Sequence, residues 1–167
     1  FIDICKNLAI SLTFRNYQNK TPEIVTNRTL TEVLNSMFDY PKKKKSHNVK
    51  ISDFLFASPK EYASRFLRGY FDTDGGVEKG RRAITISSAS NQMINDLSLF
   101  LLRFGCISII EKDNTISLSG SSMINFMSEI GFGLEEKSAK AKVMMLTISG
   151  SHVSDYIQMQ VTENGLI

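Results

Sequence analysis

The sequence predicts an α+β fold, with helix, two strands, helix, two strands and helix in succession from about residue 59 to residue 132. Three observations carry that prediction. A capped helical segment opens at Ser58-Pro59, two stretches alternate apolar and polar residues (Ala83 to Ser88 and Thr115 to Ser119), and an apolar stripe at helical spacing (Ile94, Leu97, Leu101, Phe104) lies between them.

With 167 residues, 42% of them hydrophobic, the chain can bury one sizeable core or two small ones. No apolar run approaches the roughly 18 residues of a membrane span, and no succession of charged, apolar and small residues marks a signal peptide. Cys5 and Cys106 lack metal-ligand spacing and read as buried thiols of a reducing compartment. An intracellular setting is therefore expected, in cytoplasm, nucleoid or organelle matrix. The start at Phe1 without Met reads as a fragment, a processed piece or a chosen boundary. The net charge of +3 is uneven: residues 1–82 hold 15 Lys and Arg against 9 Asp and Glu, residues 83–167 hold 5 against 8. A basic first half is compatible with a polyanionic partner.

In chain order, Leu8, Ile10, Leu12 and Phe14 alternate and predict a strand within residues 1–14. Ile24-Val25 predicts a second strand, and Thr29 caps a helix carrying Leu30, Val33, Leu34, Met37 and Phe38. Residues 1–40 thus read as a strand, strand, helix remnant of a preceding unit. Pro41 ends that helix and Lys42 to Lys45 open a basic linker over 41–57, because lysines in a row repel one another. His47 is expected exposed within it, and a phosphate contact by the lysines is an alternative to a solvated connection. Ser58, Pro59 and Glu61 then form a capping box for a helix running through Phe71, with Tyr62, Phe66 and Gly69/Tyr70 at helical spacing.

Beyond it, Gly76 to Lys79 and Ala83 to Ser88 predict a hairpin turning through Gly80-Arg81-Arg82. A helix from about Gln92 ends at Gly105. A second hairpin pairs Cys106 to Lys112 with Thr115 to Ser119 through Asp113-Asn114, and Met123, Phe126, Met127 and Ile130 mark a last helix. In the tail, residues 143–167, Leu146 to Ile148 and Tyr156 to Val161 read as strands and His152 as an exposed loop residue.

The chemistry gathers at Asp72-Thr73-Asp74-Gly75-Gly76. Gly69 inside a helix costs about 1 kcal/mol against Ala, which makes sense where a second backbone approaches. Two carboxylates at a helix C-terminus meet the negative end of the macrodipole, an arrangement that a divalent cation explains most easily. The alternative is that Asp72 caps a turn and Asp74-Gly75-Gly76 leads tightly into a strand. An EF-hand loop is excluded, since its fifth position would be Gly76 and the required Gly and closing Glu are missing. On the sheet, Thr85, Ser87, Ser117, Ser119 and Lys112 fall on one polar face with Lys79, Arg81 and Arg82 at its rim. Such a face suits base edges and phosphates in a major groove, although β propensity alone also places Ser and Thr on strands.

Leu67-Arg68-Gly69-Tyr70-Phe71-Asp72-Thr73-Asp74-Gly75 resembles the signature of the LAGLIDADG homing endonucleases, in the form carried by many intein-embedded members. Ile51 to Phe56 is similar to the segment joining the two halves of such enzymes, and Ile130-Gly131-Phe132 to their closing helix, so that the resemblance spans residues 20–142. It implies one αββαββα half-domain over 58–142 whose antiparallel four-stranded sheet faces double-stranded DNA. It also implies two signature helices packed side by side, here through Phe66, Gly69 and Tyr70. Asp74 would then be the catalytic acid and ligand of Mg²⁺ or Mn²⁺, assisted by the Gly75 carbonyl, while Asp72 caps or supports the turn. The partner would be a second LAGLIDADG half, from a homodimer or a missing N-terminal half.

Two departures from the family pattern bear on activity. The chain holds one signature where cleavage of both strands needs two, and the turn after the fourth strand reads Gly120-Ser121-Ser122 where family members often have Lys. Asn164-Gly165-Leu166-Ile167 resembles the approach to an intein splice site without its His-Asn pair, so no splicing is expected. Two functions follow from the resemblance: a metal-dependent homing endonuclease, or a DNA-binding or assembly module that keeps the fold without the reaction.

Overall fold

A computed structural model describes residues 7, 13–17, 20–25, 28–39, 41 and 45–146. Strands β1 (Thr13–Tyr17) and β2 (Lys20–Val25) pair antiparallel as a two-stranded sheet, and helix α1 (Arg28–Phe38) follows. Of the residues read as the first strand, Phe14 lies in β1, whereas Leu8, Ile10 and Leu12 fall outside the described residues. On α1 the apolar stripe is little used, since Val33 and Met37 are exposed while Phe38 packs against the core.

Lys42, Lys43 and Lys44 also lie outside the described residues. Past them, residues 45–57 do more than connect. Short helices α2 (Lys45–Asn48) and α3 (Asp53–Phe56) flank Ile51, and Ile51 and Leu55 are buried in the core. Buried backbone must be satisfied. The Ile51 N–H donates to Asp96 Oδ2 at 3.0 Å, and the Val49 carbonyl accepts from Ser90 Oγ at 2.6 Å. His47 is exposed, as expected, with Nδ1 3.3 Å from the Ala89 carbonyl oxygen.

Helix α4 (Lys60–Asp74) contains the signature and is longer than its sequence pattern suggested, carrying both acids in its last turn. The capping box is not formed. Pro59 is the N-cap, and Ser58 Oγ donates to the Leu55 carbonyl at 2.6 Å, turned back toward α3 instead of forward to the Glu61 amide.

Strands β3 (Gly75–Glu78), β4 (Ala83–Ser87), β5 (Ile109–Ile110) and β6 (Thr115–Ser119) form one antiparallel sheet in the order β3-β4-β6-β5. Helices α5 (Asn91–Leu102), α6 (Gly120–Glu129) and α7 (Glu135–Leu146) complete the described chain. Ser90 caps α5 by accepting the Met93 N–H, and Gly105 closes its end at φ +67°. The first hairpin turns through Gly80-Arg81-Arg82 as expected, with Arg82 as its left-handed residue at φ +50°. In the second, Asn114 takes φ +56°, which its short polar side chain tolerates.

Cys106 to Ser108 do not join the expected strand. The Cys106 N–H returns to the Leu101 carbonyl and the Ile107 N–H donates to Ser122 Oγ at 2.9 Å, which takes both amides from the ladder and leaves β5 two residues long. Leu146 ends a helix instead of starting a strand, and residues 147–167, including His152, lie outside the described residues.

One face of the sheet supplies Ile84, Ile86, Ile116 and Leu118, all essentially inaccessible, to a core shared with Leu67 and Phe71 of α4, Leu97 and Phe100 of α5, and Met123 and Phe126 of α6. Each such side chain contributes about 1.5–3 kcal/mol on burial. Burial in that core pushes the Cys106 thiol up to about 12, so it stays neutral. No helix among the described residues is long and apolar enough to cross a membrane.

Candidate active site

The last turn of α4 presents two carboxylates in different situations. Asp72 is half-buried and accepts from the Gly133 N–H at 3.0 Å and the Leu134 N–H at 3.2 Å, at the start of α7. It supports the connection, as its expected role required. Asp74 is exposed, and among the described residues its carboxylate has no hydrogen-bond or ion-pair partner. Its charge is felt by Tyr70, one turn back, whose pKa is raised by burial and then by Asp74, while a hydrogen bond with Ser88 opposes the rise.

The negative end of the helix does receive a cation from within the chain. Lys137 of α7 reaches across so that Nζ donates to the carbonyls of Phe71 at 3.1 Å, Asp72 at 2.7 Å and Gly75 at 2.6 Å. The Gly75 carbonyl, expected to assist a metal, is thus already engaged by an ammonium with one of its two lone pairs. Nothing in the local sequence around Asp74 signals this, because Lys137 lies 62 residues beyond Gly75.

Gly75 is required for space and not for backbone freedom, since its φ is −80°. A Cβ there would lie 2.7 Å from the Phe71 carbonyl oxygen and 2.9 Å from the Phe71 ring. Gly75→Ala should therefore cost about 1–3 kcal/mol, read as a lowered urea midpoint, and should displace the Asp74 turn.

The opposite situation holds at Gly69, where a Cβ would meet no atom within 4 Å. Among the described residues no second backbone approaches Gly69, so the face is open within them. Gly69→Ala should stabilise the isolated chain by about 0.5–1 kcal/mol through helix propensity, again by urea denaturation, while narrowing any contact to a partner helix. On the same helix Phe66 and Tyr70 stack with centroids 6.1 Å apart at 4°. With Asp74 they line a cavity of about 620 Å³, bordered by Leu34 and Phe38 of α1. Ser52, which also lines it, has a buried hydroxyl without a hydrogen-bond partner. Lys50 borders the cavity too, its Nζ paired with Asp39 at 2.8 Å.

On the sheet the expected polar face is only partly open. Ser87, Ser119, Lys79, Arg82 and Lys112 are exposed. Thr85 and Ser117 are not: they retain 5% and 9% exposure, because they sit on the two central strands. Thr85 Oγ1 donates to Glu78 Oε1 at 3.1 Å. Ser87 Oγ and Thr115 Oγ1 share a hydrogen bond across β4 and β6 at 2.7 Å. Arg81 at the rim is tied to Glu111 at 2.7 Å and Glu78 at 3.5 Å, joining the two hairpins.

Among the described residues no group of three or more His, Cys, Asp or Glu stands together to enclose a metal. A lone, unbonded carboxylate on an open surface fits a hard cation whose other positions come from water, phosphate oxygen or a second subunit.

Residues 61–131 match the family model described as a LAGLIDADG-like domain. Elongation factor 2 of Methanopyrus kandleri is 35% identical over 151 residues, which cover 90% of this chain and 12% of that protein. A probable translation initiation factor IF-2 of Thermococcus kodakarensis is 40% identical over 111 residues, 65% of this chain and 10% of that protein. The replication factor C small subunit of Methanocaldococcus jannaschii is 36% identical over 137 residues, 75% of this chain and 7% of that protein. This chain therefore spans about a tenth of the length of the curated relatives it matches. With the α4 signature ending in Asp74-Gly75, the four-stranded antiparallel sheet and the matched segment in agreement, residues 61–131 form a LAGLIDADG-like domain.

Proposed function

We propose that this chain is one catalytic half of a site-specific, double-strand DNA endonuclease of the homing type, carried as an intein-type insertion in a larger host protein. The observation that carries the reading is the Asp74 carboxylate, exposed and without a hydrogen-bond or ion-pair partner among the described residues, at the end of a helix whose Gly69 face is open. The relatives support the insertion: proteins named for elongation, initiation and replication share this segment as a small part of their length. A segment common to such different proteins supplies something other than their named tasks.

In this reading Asp74 would hold Mg²⁺ or Mn²⁺. When bound, the ion lowers the pKa of a coordinated water and offsets charge on the leaving oxygen. Asp74 supplies one anionic oxygen, and the second acid comes from another LAGLIDADG half seated along Phe66, Gly69 and Tyr70. Lys79, Arg82 and Lys112 draw phosphates to the sheet, and Ser87 and Ser119 present hydroxyls to base edges. Arg81 joins them only by giving up Glu111. Thr85 and Ser117 act in this reading by fixing the small, smooth surface of the central strands.

The test is molar mass in solution by light scattering beside a nicking assay with Mg²⁺ on a supercoiled plasmid that carries the insertion site. A dimer that cuts both strands supports the reading. Two observations favour a second reading, a DNA-binding or assembly module without the reaction: the single signature, and the Lys137 ammonium already at the helix end. Duplex affinity that falls with salt, with no nicking under any divalent metal, would select it. Failure to bind DNA at low salt would remove both.

A further inference from the structure

We propose that Lys137 is the positioning residue of the Asp74 turn, and that its ammonium determines how well Asp74 can hold a divalent cation; this rests on the endonuclease reading above. The last turn of a helix leaves carbonyls without intrahelical donors. Three carbonyls at the end of α4, those of Phe71, Asp72 and Gly75, converge on Lys137 Nζ at 2.6–3.1 Å. An ammonium has three donors and no acceptor, so this one is fully used. It is committed to the protein backbone and not to substrate.

These carbonyls bracket residues 73 and 74. The backbone on both sides of Thr73-Asp74 is thus held by charge-assisted bonds from one partly buried Lys. A second link runs the other way, from Asp72 to the N–H groups of Gly133 and Leu134. The ammonium lies at the negative end of α4 and the carboxylate at the positive end of α7, each on the favourable side of a helix dipole. The two links join the same pair of helix ends and make one stiff corner, from which the Asp74 carboxylate projects unbonded. Lys137 also sits beyond the matched segment 61–131, on a helix docked through Ala141 and Met144.

Removing the ammonium has two opposed effects on a cation at Asp74. It relieves a like-charge repulsion, which solvent screens at this exposed acid. It also takes the charged donor from three carbonyls, of which that of Phe71 keeps the Gly75 N–H, and frees the turn, and this effect dominates.

The experiment is a Mn²⁺ titration followed by electron paramagnetic resonance, on the chain bound to its duplex, with Asp74→Asn as the control for the site. Lys137→Met, which keeps the stem and removes the donors, should weaken Mn²⁺ binding about tenfold, the size typical for losing a group that orients a metal ligand. Duplex affinity should stay unchanged. Lys137→Arg, whose planar fork cannot point three donors at converging carbonyls, should fall between the two and serves alone if Lys137→Met does not fold. Lowered thermal stability with unchanged Mn²⁺ affinity of the folded complex would mean a purely structural Lys137 and overturn the proposal. A wild-type complex with no Asp74-dependent Mn²⁺ uptake would overturn the endonuclease reading and this proposal with it.

Discussion

Replacing Asp74 by Asn should lower nicking of a cognate supercoiled plasmid at least about a thousandfold while leaving duplex affinity unchanged. The isosteric amide keeps the shape of the side chain and removes the anionic oxygen. Metal-assisted stabilisation of transition-state charge is worth several kcal/mol, and each 1.36 kcal/mol is about a factor of ten in rate. Because Asp74 makes no hydrogen bond or ion pair among the described residues, the fold has nothing to lose by the change. The variant should stay within about 0.5 kcal/mol of wild type, since the repulsion of a charge by the helix end is offset by the Lys137 ammonium already there. A variant that is as stable and inactive is the signature of a residue kept for chemistry. Mg²⁺-dependent nicking at the wild-type rate would refute the role assigned to Asp74.

The largest effect on stability is expected at Phe126. Its ring lies 4.7 Å from Phe71 of the signature helix and 5.3 Å from Phe132, and it is fully buried. Phe126→Ala should cost about 3–5 kcal/mol in urea denaturation, the range for truncating an aromatic where the surroundings cannot collapse into the space. That is a large part of the total stability of an ordinary domain. Tyr62, 65% exposed on the same signature helix, gives the contrast. Tyr62→Ala should stay within about 0.5 kcal/mol of wild type. Equal losses at the two positions would mean that Phe126 is not at the centre of the core.

The sequence made the core of this fold legible wherever periodicity and burial coincide. Ile94, Leu97, Leu101 and Phe104 are buried as their spacing required, and β6 has the bounds that Thr115 to Ser119 suggested. Helix α7 escaped because its buried positions are Ala141 and Met144 among charged residues, too weak a stripe to read. The polar sheet face was only half legible for a related reason. Alternation tells which side of a strand Thr85 and Ser117 occupy, but not that neighbouring strands and Glu78 cover them. At the helix end, the local sequence displays Asp72 and Asp74 and conceals what holds them, because the amides of Gly133 and Leu134 and the Lys137 ammonium arrive from more than 60 residues away.

That separation has a consequence for the order in which the chain takes shape. The signature helix can form from its own residues, and its apolar side can find the sheet once β6 is made. Its last turn cannot be finished then, because Lys137 emerges from the ribosome 62 residues after Gly75. Contacts so distant in sequence form late, after the loop between them has closed. The corner that carries Asp74 is thus assembled last, and whatever its carboxylate is to hold must wait until the rest of the domain is in place.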